Sequence, residues 1–431
     1  MKEPKPKPPV RQGAPMTLVM HARGLTFDPR GKRFALAEDG TVTSDSSACR
    51  AGGSGAFVVE RITTARELIA ALDGLEPGIV VVWGEPPAEI GHMAKSGTEI
   101  PGDRVWARSA RHFHRFSDPA VLVIDCDMQQ PPPLEDMVAW LRSLGFDCDL
   151  VGGSSASAGI RSVETGELVK DGKGLRLYAL VNKGSAIPRI LRMLIDRGWL
   201  CGWSHWRIGA DGTPHERGAA DIVMKVPVQA DFSAAGAILG PGLTQDRTWR
   251  LFPGSERIQD VRKLAWIEDD ETDYGGRSVD EEIDWRRDHA RLMAEPEARK
   301  VKERYAKARN EERAIAAVAA GEYDDVKTAA AALLDDTRRE LERSRETGVL
   351  TGWHKLHTAK GIVTCRDVIA DPERWHMTPC AEPMEPTYNG GAHTSTILAG
   401  DRRPVVNSHR GEGKVWRMIK ASVNLLERGV R

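Results

Sequence analysis

What this sequence lacks narrows it first. Its six cysteines, Cys49, Cys126, Cys148, Cys201, Cys365 and Cys380, include no C-x-x-C pair. That spacing argues against both a zinc ribbon and a disulfide framework, so reduced and mostly buried thiols are expected. No apolar run approaches the length needed to span a bilayer, and the opening Met1-Lys-Glu-Pro-Lys-Pro-Lys-Pro-Pro9 has no apolar stretch of the secretory kind. The expectation is a cytoplasmic protein with no membrane partner. The formal net charge is only -1. No global positive field therefore draws in a polyanion, and any such ligand must be held locally. There is also no G-x-x-x-x-G-K-[ST] string, so no P-loop motor is expected.

What is present is an ordinary soluble composition, 41% hydrophobic and 29% charged, in 431 residues, enough for two or three domains. The run Val121-Leu-Val-Ile-Asp-Cys-Asp127 stands out. Val and Ile favour a strand, and alternation sends Asp125 and Asp127 to one face while Ile124 and Cys126 point into the core. Two carboxylates side by side at a buried strand end repel one another, and a shared proton or a divalent cation relieves that. The plain alternative is a strand running out into a solvated acidic turn, because Met128, Gln129, Gln130 and three prolines follow.

The flanking sequence predicts an α/β domain. Arg33–Ala37 and Thr41–Thr43 around Glu38-Asp-Gly40 read as a hairpin. Thr64-Ala-Arg-Glu67 reads as a capping box opening a short helix that Gly74 stops, and Gly78–Trp83 as a buried strand. Arg104, Arg108, Arg111, His112, His114 and Arg115 crowd the approach to the acidic strand; they read as a phosphate-facing cluster or as a solvated basic face. Leu134, Met137, Val138, Leu141 and Leu144 have helical spacing, Phe146–Val151 reads as a strand, and Gly152–Gly159 as a small-residue loop suited to close approach by phosphate. In Gly174–Val181, Arg176 and Tyr178 share a face. An arginine on a buried strand needs an anionic partner, a carboxylate or a ligand phosphate. Ser185–Arg197 reads as a helix ended by Gly198, and Trp199–Ile208 as core and sheet edge.

The order of these features resembles the archaeo-eukaryotic primase superfamily, in particular the primase-polymerases of phages and mobile elements. An acid-x-acid strand end is present as Asp125-Cys-Asp127; the Ser-x-His position corresponds to Gly174-Leu-Arg176; and a third acid after an apolar stretch looks like Asp221, in Glu216–Met224. The resemblance spans roughly residues 60 to 255, and it implies an α+β core with a mixed sheet and flanking helices. It also implies two-metal nucleotidyl transfer with Mg or Mn on Asp125, Asp127 and Asp221. Arg176, Ser154, Ser155, Ser157 and Lys173 would hold the nucleoside triphosphate, and Arg104, Arg108, Arg111 and Arg115 the single-stranded DNA template. Arginine in place of histidine keeps a phosphate clamp and loses a neutral, proton-exchanging imidazole. It would alternatively bind Asp221 or Asp125 directly and leave a metal-free site. His205 and His215 are candidates to replace the imidazole, and Asp231 is the rival third ligand; Asp221 is preferred because its apolar flanks read as a strand.

The implied organisation is a basic disordered segment over 1–20, a catalytic domain over 21–255, an acidic linker over 256–280, a helical region over 281–345 and a small mixed domain over 346–431. The helical region reads as solvated surfaces, a helical hairpin or a template- or partner-binding arm. Unwinding would come from a replicative helicase acting in trans. The rival expectations are a non-catalytic nucleic-acid-binding replication protein with a decayed site, and a metal-dependent nuclease, since paired acids alone do not distinguish synthesis from hydrolysis.

Overall fold

The computed structural model describes residues 12–419 except 24–25, 47–48, 50–53, 95–104, 108, 110–111, 114, 127, 129, 171, 173, 388–390, 392, 400–402 and 409–413. It is a mixed α/β protein that divides into two compact units, residues 1–204 with 217–284, and residues 205–216 with 285–431. No described helix is long and apolar enough to cross a membrane.

In chain order the first unit contains β1 (Ala14–Arg23), β2 (Ser54–Ile62), α1 (Ala65–Asp73), β3 (Val80–Val82), β4 (Ala120–Cys126), α2 (Leu134–Ser143), β5 (Leu150–Ser154), β6 (Leu175–Val181), α3 (Ile187–Leu200), β7 (Ala230–Asp231) and β8 (Trp249–Phe252). Two sheets organise it. In the first, β7, β3, β1 and β2 are successive neighbours. In the second, β8, β5, β6 and β4 run antiparallel in that order. β4 is buried along nearly its whole length because Val121, Leu122, Val123 and Ile124 have apolar neighbours on both faces of the sheet. Each such side chain contributes about 1.5–3 kcal/mol of transfer free energy.

Local chemistry accounts for several boundaries. The Thr64 hydroxyl accepts from the Glu67 N–H at 3.1 Å and caps α1, while the Glu67 carboxylate reaches back to the Thr63 N–H at 2.7 Å, one residue beyond the expected box. The expected hairpin forms from Arg33–Leu36 and Val42–Asp45.

Three expectations need correction. The strand placed at Phe146–Val151 lies at Leu150–Ser154, so Gly152 and Gly153 are sheet residues. They are small because the sheet is crowded there: a β-carbon on Gly153 would stand 2.6 Å from Cε3 of Trp249. Helix α3 passes through Gly198 to Leu200, and that glycine lets Ser204 pack against the helix, its hydroxyl donating to the Ile195 carbonyl at 2.8 Å. The stretch 256–280 is folded rather than a free acidic linker over its first part. Gln259 is fully buried and its side-chain amide accepts from the Asp147 N–H at 2.9 Å and donates to the carbonyls of Gly145 and Asp260, both at 2.9 Å. Leu264, Trp266 and Ile267 are buried, and Asp270 pairs with Arg197.

The second unit is built on α4 (Val279–Ala319), most of which belongs to it, and α5 (Val326–Thr347). The two helices form the anticipated hairpin. Asn310 donates to the Ala330 carbonyl at 2.7 Å and accepts from Thr337 at 3.0 Å, and Arg338 reaches Glu303 at 3.1 Å. Asp325 caps α5, and Gly348 ends it in the left-handed conformation. A seven-stranded sheet follows, from Val349–Leu350 to Val415–Met418, around Leu341, Leu356, Val368, Ile397 and Val406.

Candidate active site

Of the predicted residues, Asp125, Arg176, Asp221 and the serines Ser154, Ser155 and Ser157 lie at one end of the four-stranded sheet, where β4 and β5 finish and β6 and β8 begin. Antiparallel pairing sets this up. Arg176 stands directly opposite Asp125 on one side and Gly153 on the other. Asp127 and Lys173 lie outside the described residues, as do Arg104, Arg108 and Arg111 of the basic cluster. Arg115 is described and exposed, and its carbonyl accepts from the Glu85 N–H at 2.9 Å.

Arg176 is 2% exposed, and its two terminal nitrogens donate to different carboxylates, one to Asp125 and one to Asp231. The anionic partners required by a buried arginine are therefore carboxylates. Burial opposes the guanidinium charge, but Asp125 and Asp231 overcome that and hold its pKa well above the ordinary value. Asp231, on β7, is as buried as Arg176. It also accepts from the Trp83 indole at 3.1 Å and from the backbone N–H groups of Ser233 and Ala234 at 2.9 and 3.0 Å. Its acceptor capacity is committed to protein donors. Asp125 differs, with its side chain 30% exposed.

Asp221 meets Asp125 through the backbone: its N–H donates to the Asp125 carbonyl at 2.8 Å. The apolar flank expected to be a strand is instead a 3-10 turn, Ile222–Lys225, which the Asp221 carboxylate caps by accepting from the Val223 N–H at 3.0 Å. An Asp followed by an apolar run satisfies a cap as readily as a strand start.

The serines occupy the turn leaving β5. Ser154 ends that strand, and the hydroxyls of Ser155 and Ser157 lie 3.2 Å apart. Two side chains that the sequence reading missed fix this turn. Arg247 donates to the carbonyls of Ser154 at 3.1 Å, Ala234 at 3.0 Å and Ser233 at 2.7 Å, with its guanidinium 4.4 Å above the Trp249 ring. Gln245 donates to the carbonyls of Ala156 and Ala158 at 3.0 and 2.8 Å and accepts from the Ala237 N–H at 2.9 Å. Burial lowers the Arg247 pKa. Both residues act on backbone carbonyls remote in sequence, which leaves no motif to read.

The residues fit a divalent cation only in part. Asp125 and Asp221 are adjacent and oxygen-bearing, as Mg or Mn requires. Asp231 is excluded as a ligand in this arrangement by its four protein donors. His205 and His215, the candidate imidazoles, belong to the second unit. No protein-family model matches this chain, and neither a curated protein nor a solved structure does.

Proposed function

We propose that this chain is a template-dependent primase or primase-polymerase, which makes or extends primers on single-stranded DNA by nucleotidyl transfer. The observation that carries this reading is the meeting of the first and third acidic motifs, Asp221 N–H to Asp125 carbonyl, from segments far apart in sequence. Asp125 and Asp221, with Asp127 close to Asp125 in sequence, are the residues that would hold Mg or Mn. Bound there, the ions would neutralise charge on the attacking and leaving oxygens. Arg176 orients Asp125 and is a positioning residue, while the Ser154–Ser157 turn, braced by Arg247, faces the triphosphate. Arg115 and the neighbouring arginines meet the template, and a helicase supplied in trans opens the duplex.

A second reading is favoured by one observation. The guanidinium of Arg176 answers the charges of Asp125 and Asp231, as it would in a site that has given up its metal and kept nucleic-acid binding.

The test is incorporation of labelled nucleotides on single-stranded DNA with Mg or Mn, for wild type and for Asp125→Ala plus Asp127→Ala. Synthesis by wild type that disappears in the double variant supports the first reading. DNA binding without synthesis by wild type establishes the second, and strand cleavage that needs no triphosphate identifies a nuclease.

A further inference from the structure

The sheet that carries β1, β2 and β3 treats its two faces differently. On one, Val19, Phe57, Val80 and Val82 belong to a buried cluster. Strand alternation sends Leu18, Val58 and Glu60 to the other, where the cover is incomplete. Helix α1 buries Ala65, Leu68 and Leu72, and the residues it presents to this face, Ala70 and Ala71 with Gly74 at its end, are small. Short side chains there leave a groove of about 450 Å3 between helix and sheet, with Leu18, Ile62, Leu75 and Ile79 as its apolar wall. Ligand sites ordinarily enclose about 300–1,000 Å3.

The groove continues onto an apolar shelf. Leu18 stands opposite Val58, and Val58 opposite Ile90 of the strand Ile90–Ala94, so the three form a row across three strands. Val58 is 37% and Ile90 53% exposed, and Met20, next on the same face of β1, is 40% exposed. Single exposed apolar residues are ordinary, but a row continuous with a groove marks an interaction surface. It extends about 10 Å from Leu18, two strand spacings, which suits a polypeptide segment better than one small molecule.

Charge selects the kind of segment. Arg61 is the one cation among the described residues that line the groove, and its guanidinium is committed to Glu85 at 3.0 Å and Glu89 at 2.6 Å. Glu67 is committed as well, accepting from the Thr63 N–H and hydroxyl, both at 2.7 Å. Glu60 is different: it is exposed, and its carboxylate has no partner among the described residues. The last turn of α1 also ends at the groove, carries the exposed Asp73 and has no basic residue to offset the partial negative charge of a helix C-terminus.

We propose that this groove and shelf bind a segment of a partner protein in which aliphatic residues are interleaved with Lys or Arg. An aliphatic side chain fills the groove against Leu18, Ile62 and Leu75, a second lies on Val58 and Ile90, and the cations meet Glu60 and the end of α1. None of these residues belongs to the set assigned to nucleotidyl transfer, so the site stands or falls independently of that reading.

The experiment measures fluorescence polarisation of a labelled ten-residue peptide of alternating leucine and lysine on the full chain. Two control peptides replace every leucine by serine or every lysine by glutamate. Wild type is expected to prefer the leucine–lysine peptide to the serine control by at least about tenfold, the burial of one aliphatic side chain. It is also expected to prefer it to the glutamate control. Ala70→Trp, which fills the groove from an exposed helix position, is expected to weaken binding by at least about tenfold. Glu60→Lys, which turns an attraction into a repulsion, is expected to weaken it by at least about threefold. Circular dichroism checks that both variants are folded. Equal binding of the three peptides by wild type, or unchanged affinity in either folded variant, overturns the proposal.

Discussion

Arg176 and Asp125 face each other across the β4–β6 pair, and the guanidinium that reaches Asp125 also holds the fully buried Asp231. One cation thus links the second sheet to β7 of the first. Removing it leaves Asp231 buried without its counter-charge, a change that typically costs about 3–5 kcal/mol. Urea unfolding of Arg176→Met is expected to show a loss of that size. Adding Asp231→Asn, which removes the stranded charge but keeps an acceptor for Ser233 and Ala234, is expected to recover at least half of it. A single variant as stable as wild type would mean that Asp231 is compensated by other donors.

The role of Asp221 divides into two parts that one substitution separates. Its side chain caps a 3-10 turn, and asparagine caps about as well as aspartate. Only the charge is needed to hold a cation. On the primase reading, Asp221→Asn is therefore expected to keep the cap and remain folded while abolishing nucleotide incorporation. Full activity in the variant would remove Asp221 from the catalytic set.

The sheet end also explains what was legible in the sequence. β4 is readable because β-branched residues, period-two alternation and the terminal acids all agree. α1 is readable from Thr64 and Gly74, and the α4–α5 hairpin from Gly321 and Asp325. β5 is misplaced because Gly152 and Gly153 signal a loop in isolation, and only Trp249, brought alongside by β8, shows why they belong in a strand. One partner of Arg176, Asp125, is among those the sequence offers, while the other, Asp231, is hidden for the same reason. Asp231 lies 55 positions away, and the apolar flank that favours Asp221 over it in the sequence forms a 3-10 turn. Arg247 and Gln245 recognise carbonyls, which every residue possesses, so no side-chain pattern announces them.

Gly153 gives that explanation a direct test. A methyl group there would stand 2.6 Å from Trp249 Cε3 and 2.9 Å from the Thr248 carbonyl oxygen. Overpacking of this kind costs about 1–3 kcal/mol. Gly153→Ala is expected to lose that much in urea unfolding. A neutral effect would show that Trp249 moves aside at no cost and that this glycine has another role.

His354, in the second unit, makes stability depend on pH. It is fully buried, with Nδ1 3.3 Å from the Thr351 N–H and 3.1 Å from the Thr351 hydroxyl, and its ring stacks on Trp353. Burial, reinforced by the nearby charges of Arg309 and Arg313, pushes its pKa down to about 3. Unfolded, the imidazole takes up a proton near pH 6.5; folded, it stays neutral until about pH 3. The unfolded state therefore binds more protons throughout that window, and stability falls as the pH drops through it. The stabilising contribution is complete above about pH 6.5 and shrinks by up to about 1.4 kcal/mol per pH unit below it. In His354→Asn the side-chain carbonyl keeps an acceptor for Thr351 and nothing titrates. The variant is expected to be less stable than wild type at pH 7, with the difference narrowing by about 2 kcal/mol at pH 5. Urea midpoints for both proteins at the two pH values measure this directly. A gap that stays constant would mean that His354 takes up no proton on unfolding.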